Sequence, residues 1–195
     1  MSIEGIFRLT AHTALVATVL FALWAAARLW ILAIERKKGT PPPSRGTEIL
    51  LWVFVFYLIC LYQITVFRYG ISPGLWHDRP DPLASVNLAP FVHTIKLYYA
   101  YTKWYFVYNL LGNIVWFVPF GAAVPAVGRR SDKKRGFLSV TAMGFLCSLS
   151  IELLQFVFAT GISDVDDLIF NTVGTALGYL LYLCAQSIYK RVRSR

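Results

Sequence analysis

Long apolar runs with short polar breaks between them make up most of the chain. They lie near Leu9–Ile34, Ile49–Phe67, Phe106–Val127, Phe137–Phe158 and Leu168–Ile188. A helix needs about 20 mostly apolar residues to cross roughly 30 Å of hydrocarbon, and each run comes close to that length or exceeds it. The pattern predicts an all-α fold: a polytopic integral membrane helix bundle with five transmembrane helices. The first run ends near Ala25-Ala26-Ala27, which has the small-residue look of a signal-peptide cleavage site. Its basic cluster follows the run rather than preceding it, and the run is longer than a usual signal-peptide core. A retained helix is therefore expected.

Composition agrees with the runs. The chain is 57% hydrophobic and 15% charged, with a mean hydropathy of +0.56, whereas soluble domains average about 45–50% apolar and 25% charged. Disordered, collagen-like and disulfide-stapled classes are excluded. Cys60, Cys147 and Cys184 all fall inside apolar runs and read as packing residues.

The formal net charge of +9 changes the picture only through its placement. Thirteen of the 19 Lys and Arg residues lie in three clusters beside span ends: 36–45, 129–135 and 190–195. Short basic loops next to spans are the positive-inside signal. No aromatic platform interleaves them, so no nucleic-acid partner is expected. Placing all three clusters in the cytoplasm makes the spans alternate N-out to C-in. The expected divisions are an additional N-terminal helix (1–35), a basic Pro-rich linker (36–47), a main membrane domain (48–188) and a basic tail (189–195). The segment between the second and third spans then faces outside. Its second half, Phe91–Tyr105, carries five Tyr or Trp, residues that favour the headgroup level.

Polar residues inside spans need an account, because burying them in hydrocarbon is costly. Asn109 and Asn113 are four apart on one helical face, and Glu152 and Gln155 are three apart, with Ser148 one turn earlier. Asp164, Asp167, Asn171, Gly174 and Gly178 follow one another at steps of three and four. They form a stripe that is polar at one end and small at the other, leaving room for a homo-oligomer or partner helix. At 1.5 Å per residue the polar groups lie roughly 5–10 Å below the outer surface. The expected candidate site is a shared outer-leaflet pocket lined by Asn109, Asn113, Glu152, Gln155, Asp164, Asp167 and Asn171. Glu152 is expected to be protonated, paired with Arg68 or Lys103, or exposed to a wet cavity. His93, on the outer side, is within reach of the pocket but reads first as a surface residue. No metal or cofactor is expected.

Three sequence blocks carry a resemblance. They are Asn87-Leu88-Ala89-Pro90-Phe91; Asn109-Leu110-Leu111-Gly112-Asn113 leading to Pro119-Phe120-Gly121; and Glu152-Leu153-Leu154-Gln155 followed by Asp164-Val165-Asp166-Asp167 and Asn171-Thr172-Val173-Gly174. In this combination the chain resembles the VanZ-like family from about Ile49 to Tyr182, with the first span as an addition. The resemblance implies a multi-pass protein of the bacterial inner (plasma) membrane, associated with tolerance of the glycopeptide antibiotic teicoplanin. The expected partners are the lipid bilayer and an envelope lipid or lipid-linked cell-wall precursor bound in the pocket. The alternative is an integral-membrane hydrolase or transferase acting on a lipid-linked substrate. No nucleophile–base motif, His-rich metal set or phosphate-cradling loop appears, so binding is favoured over catalysis.

Overall fold

The computed structural model describes residues 3–67, 86–100, 103–127 and 135–194. The chain divides into two compact units, residues 1–72 and 73–195. Among the described residues five helices are long and apolar enough to cross a membrane, and the protein is a multi-pass, all-α membrane protein.

The first unit is a helical hairpin of α1 (Ile3–Lys37) and α2 (Arg45–Thr65). Gly39, at φ 72°, ends α1. Its N–H donates to the Arg36 carbonyl at 3.1 Å, and the Thr40 N–H donates to the Glu35 carbonyl at 3.0 Å. This left-handed stop satisfies carbonyls that the helix end would otherwise orphan. Three prolines follow, and Ser44 caps α2 by accepting from the Thr47 N–H at 3.2 Å. Glu48, in the first turn of α2, receives Arg28 Nε at 2.8 Å and Nη2 at 2.7 Å. Trp52 Nε1 adds a third donor at 3.0 Å. Phe21, Trp24, Trp52 and Phe56 stack next to this pair. A charge inside an apolar segment is tolerated when it is paired in this way.

The second unit holds α3 (Val92–Ala100), α4 (Lys103–Val127), α5 (Phe137–Phe158) and α6 (Val165–Arg193). Its core contains Phe117, Phe120, Val124, Val140, Ile151 and Tyr179, all buried. Leu138, Leu146, Leu153, Leu177 and Leu181 are exposed, an outer surface suited to hydrocarbon. Both Pro119 and Pro125 lie inside α4.

Glycine decides how closely α4 and α6 approach. A Cβ on Gly174 would overlap the Ile114 carbonyl, one on Gly178 the Val118 carbonyl, and one on Gly121 the Thr175 carbonyl. A Cβ on Gly144 would overlap the Thr175 side chain, so α5 meets α6 through that side chain rather than backbone to backbone. The small-residue stripe of α6, expected to be open to another chain, is occupied by α4 of the same chain. Small side chains allow backbones to meet, and the nearest available backbone fills the space.

Two short strands, β1 (Val86–Asn87) and β2 (Ser163–Asp164), pair in parallel, with Asn87 opposite Asp164. The pairing ties the segment before α3 to the turn between α5 and α6. That turn opens at Ala159, a non-glycine residue in the left-handed region at φ 55°. The basic cluster at 129–134 and residues 68–85, Arg68 included, lie outside the described residues.

Candidate functional site

The site forms where α6 begins. Asp164 is its N-cap, accepting the Asp166 N–H at 2.9 Å through Oδ1. The same oxygen receives Asn87 Nδ2 at 2.9 Å, while Oδ2 lies 2.6 Å from His93 Nδ1. The Asp164 side chain is 3% exposed and that of His93 is 37% exposed, so a buried carboxylate holds a partly open imidazole. His93, read first as a surface residue within reach of the pocket, is partly exposed and lies against Asp164. The α6 N-terminus also favours negative charge here, because its peptide dipoles point their positive ends at these carboxylates.

Glu152 reaches the cluster from α5. Its Oε2 accepts the Asp164 backbone N–H at 2.8 Å, and its main-chain carbonyl accepts Ser163 Oγ at 2.7 Å. Among the described residues no cation pairs with Glu152, so the expected Lys103 partnership is not formed. The backbone N–H of Asp164, the last residue before α6, takes that place. Asp167 faces α4, where Asn113 Nδ2 donates to its Oδ1. Asn113 also donates to Asn109 Oδ1 at 3.3 Å. Asp167 lies within electrostatic range of Glu152, Asp164 and His93, so these groups form one cluster.

Two of the expected pocket residues stand apart. Asn171 donates to Ser148 Oγ at 2.9 Å in the buried seam between α5 and α6, a cross-helix tie deeper along α6. Gln155 packs beside Gly161 in the turn after α5, where an added Cβ would come within 3.3 Å of Gln155 Cδ.

Asp166 was not among the expected residues, yet it is 1% exposed and fully engaged. It accepts the Phe91 N–H at 2.6 Å, the Thr94 N–H at 3.2 Å and Thr94 Oγ1 at 2.5 Å. An N-cap is normally the residue that precedes its own helix. Here the carboxylate capping α3 comes from α6, so helical spacing could not reveal it. The available signal was the Asn87–Phe91 motif, which recurs here as the backbone that the aspartates grip.

Beside this cluster lies a cleft of about 300 Å³. Leu88, Leu149, Leu153, Phe156 and Leu168 make its walls apolar, and Asn87, Glu152 and Asp164 border it. Of the seven expected residues only Glu152 and Asp164 line the cleft; Asn109, Asn113, Gln155, Asp167 and Asn171 do not. Burial explains the difference. Asn113 and Asn171 are spent on cross-helix hydrogen bonds and Asn109 on Asn113 of its own helix, while the cleft opens on the side where α5 meets β1 and β2. Among the described residues no group of three or more His, Cys, Asp or Glu is arranged to hold a metal ion.

Fold and site together define a multi-pass helical membrane protein with an acidic, amide-rich cluster at one end of its last three spans. The VanZ/LLP1 family model matches residues 54–186, which include every member of that cluster, and the chain belongs to this family. Protein VanZ of Enterococcus faecium is 34% identical over 133 residues, covering 67% of this chain and 71% of that protein. No solved structure matches.

Proposed function

We propose that the protein binds an envelope lipid or lipid-linked cell-wall precursor at the outer leaflet and thereby confers tolerance of teicoplanin. The observation that supports it is the cleft: apolar walls beside two buried carboxylates. A hydrocarbon chain would lie against Leu149, Leu153 and Phe156. A headgroup amine, amide or hydroxyl would meet Glu152 and Asp164. His93, held through Nδ1, would turn its other ring nitrogen to the headgroup as a donor, or as a cation when protonated. In the same proposal the basic segments stay cytoplasmic, the N-terminus is outside and the C-terminus inside the bacterial plasma membrane.

The test compares lipid co-purifying with wild type, Glu152→Gln and Leu153→Trp by native mass spectrometry, alongside teicoplanin susceptibility of the host. Glutamine still accepts the Asp164 N–H but removes the charge, and tryptophan fills the cleft. Loss of one lipid species and of tolerance in both variants, at unchanged membrane abundance, is the expected result. Unchanged lipid content and unchanged susceptibility would overturn the proposal. The alternative, a hydrolase or transferase on a lipid-linked substrate, draws on the closeness of the His93 imidazole to the Asp164 carboxylate, since a histidine beside a carboxylate can serve as a general base. Turnover of a lipid-linked phosphate by wild type that disappears in His93→Gln would favour it.

A further inference from the structure

The turn of the first hairpin encloses a second cavity, separate from the acidic cluster and outside the matched family region. It measures about 480 Å³ and is lined by Leu32, Arg36, Thr40, Pro42, Pro43 and Arg45 together with the carboxylates Glu35 and Glu48. A second recess of similar size is bordered by Leu32, Ala33, Arg36 and Lys37.

The charges here are not equivalent. Glu48 is committed to Arg28 through two short hydrogen bonds, and Glu35 lies within electrostatic range of the same guanidinium. Arg36 and Arg45 are exposed and, among the described residues, have neither a hydrogen-bond nor an ion-pair partner. With Lys37 and Lys38 alongside, the turn carries four cations and two carboxylates, one of which is already paired with Arg28.

Backbone polarity adds to the imbalance. The C-terminal carbonyls of α1, the negative end of its dipole, are met by the N–H groups of Lys38, Gly39 and Thr40. The positive N-terminal turn of α2 borders the cavity through Arg45 and Glu48. Two guanidiniums, one hydroxyl and a helix N-terminus around a cavity at the end of two spans match a phosphate group, which Arg binds in bidentate fashion. The flanking apolar helix surfaces, with Leu29 and Ile49 exposed, match acyl chains.

We infer that the cavity formed by Arg36, Thr40 and Arg45 is a headgroup site for an anionic phospholipid, with the phosphate held between the two guanidiniums. Basic pockets between membrane helices bind lipid phosphates by this chemistry. The site is independent of the proposed lipid-binding cleft in the other unit.

The experiment uses the full chain in nanodiscs of phosphatidylcholine containing phosphatidylglycerol, with lipid retained on ejection read by native mass spectrometry. Phosphatidylglycerol should be retained over phosphatidylcholine, and Arg36→Gln with Arg45→Gln should weaken that preference about tenfold. The corresponding double lysine variant should keep most of it, which separates lost charge from lost folding. Glycerol phosphate, which carries the headgroup chemistry without chains, should compete poorly. Equal retention of both lipids, or a preference unchanged in the double glutamine variant, would overturn the assignment. Competition by glycerol phosphate as strong as by the lipid would overturn its lipid component and leave a soluble phosphate site.

Discussion

The Asp166 carboxylate accepts the backbone N–H of Phe91 at 2.6 Å, across 75 residues of chain. Phe91 sits in the left-handed region at φ 64°, a conformation unusual for a bulky side chain. Asp166 rewards that geometry by taking both the Phe91 and Thr94 N–H groups and the Thr94 hydroxyl. Through this contact α6 fixes where α3 starts, and with it the position of His93 beside Asp164.

Asp166→Ala should therefore release α3 and destabilise the second unit by about 2–4 kcal/mol, since it orphans several donors that had a charged acceptor. Asp166→Asn keeps one carbonyl oxygen but sets its amide against an N–H donor, so its cost should be intermediate. Thermal unfolding in detergent checks the order wild type, Asn, Ala.

The α4–α6 approach supplies a sharper contrast. Gly174→Ala and Gly178→Ala each place a methyl group onto a backbone carbonyl of α4. No flexible side chain is there to yield, so each should cost about 1–3 kcal/mol or more and lower membrane abundance. Gly112→Ala, on the same helix as those carbonyls but with nothing within 4 Å of its added Cβ, should be tolerated. Expression and melting of the three variants side by side decide the matter.

In the first unit, Arg28 and Glu48 are 14% and 18% exposed at the side chain. Glu48→Leu leaves Arg28 without its two charged acceptors in an apolar segment, at a cost of up to about 3–5 kcal/mol. Replacing both residues by leucine should recover much of that loss, because the stranded charge goes with its partner. A double-mutant cycle measures the coupling, and simple additivity of the two losses would show that the pair is energetically idle.

Glu152 separates structure from binding. Glu152→Gln retains an acceptor for the Asp164 N–H and should leave the melting temperature within a few degrees of wild type, while Glu152→Ala orphans that buried donor and should lower it further. If the two variants melt alike, the Glu152–Asp164 hydrogen bond is not what holds β2 in place.

Much of this protein can be read along the chain. The five spans and the helical phase of Asn109, Asn113 and Glu152 follow from length, hydropathy and a 3.6-residue period, all local quantities. What the tertiary structure decided is which groups meet. Asp164 was legible as the start of a stripe, but its pairing with His93 and Asn87 depends on a parallel two-residue bridge that has no sequence period. Asp166 was passed over because its acceptor role is filled from a distant segment. Gln155 and Asn171 share the pattern of the site residues and are diverted by neighbours, Gly161 and Ser148, whose proximity only packing sets. The glycines announced a close helix contact; that the partner is α4 of the same chain was settled by the fold. Hydrophobic patterning places residues along and around each helix, and a hydrogen bond is specified by distances between helices that no single helix contains.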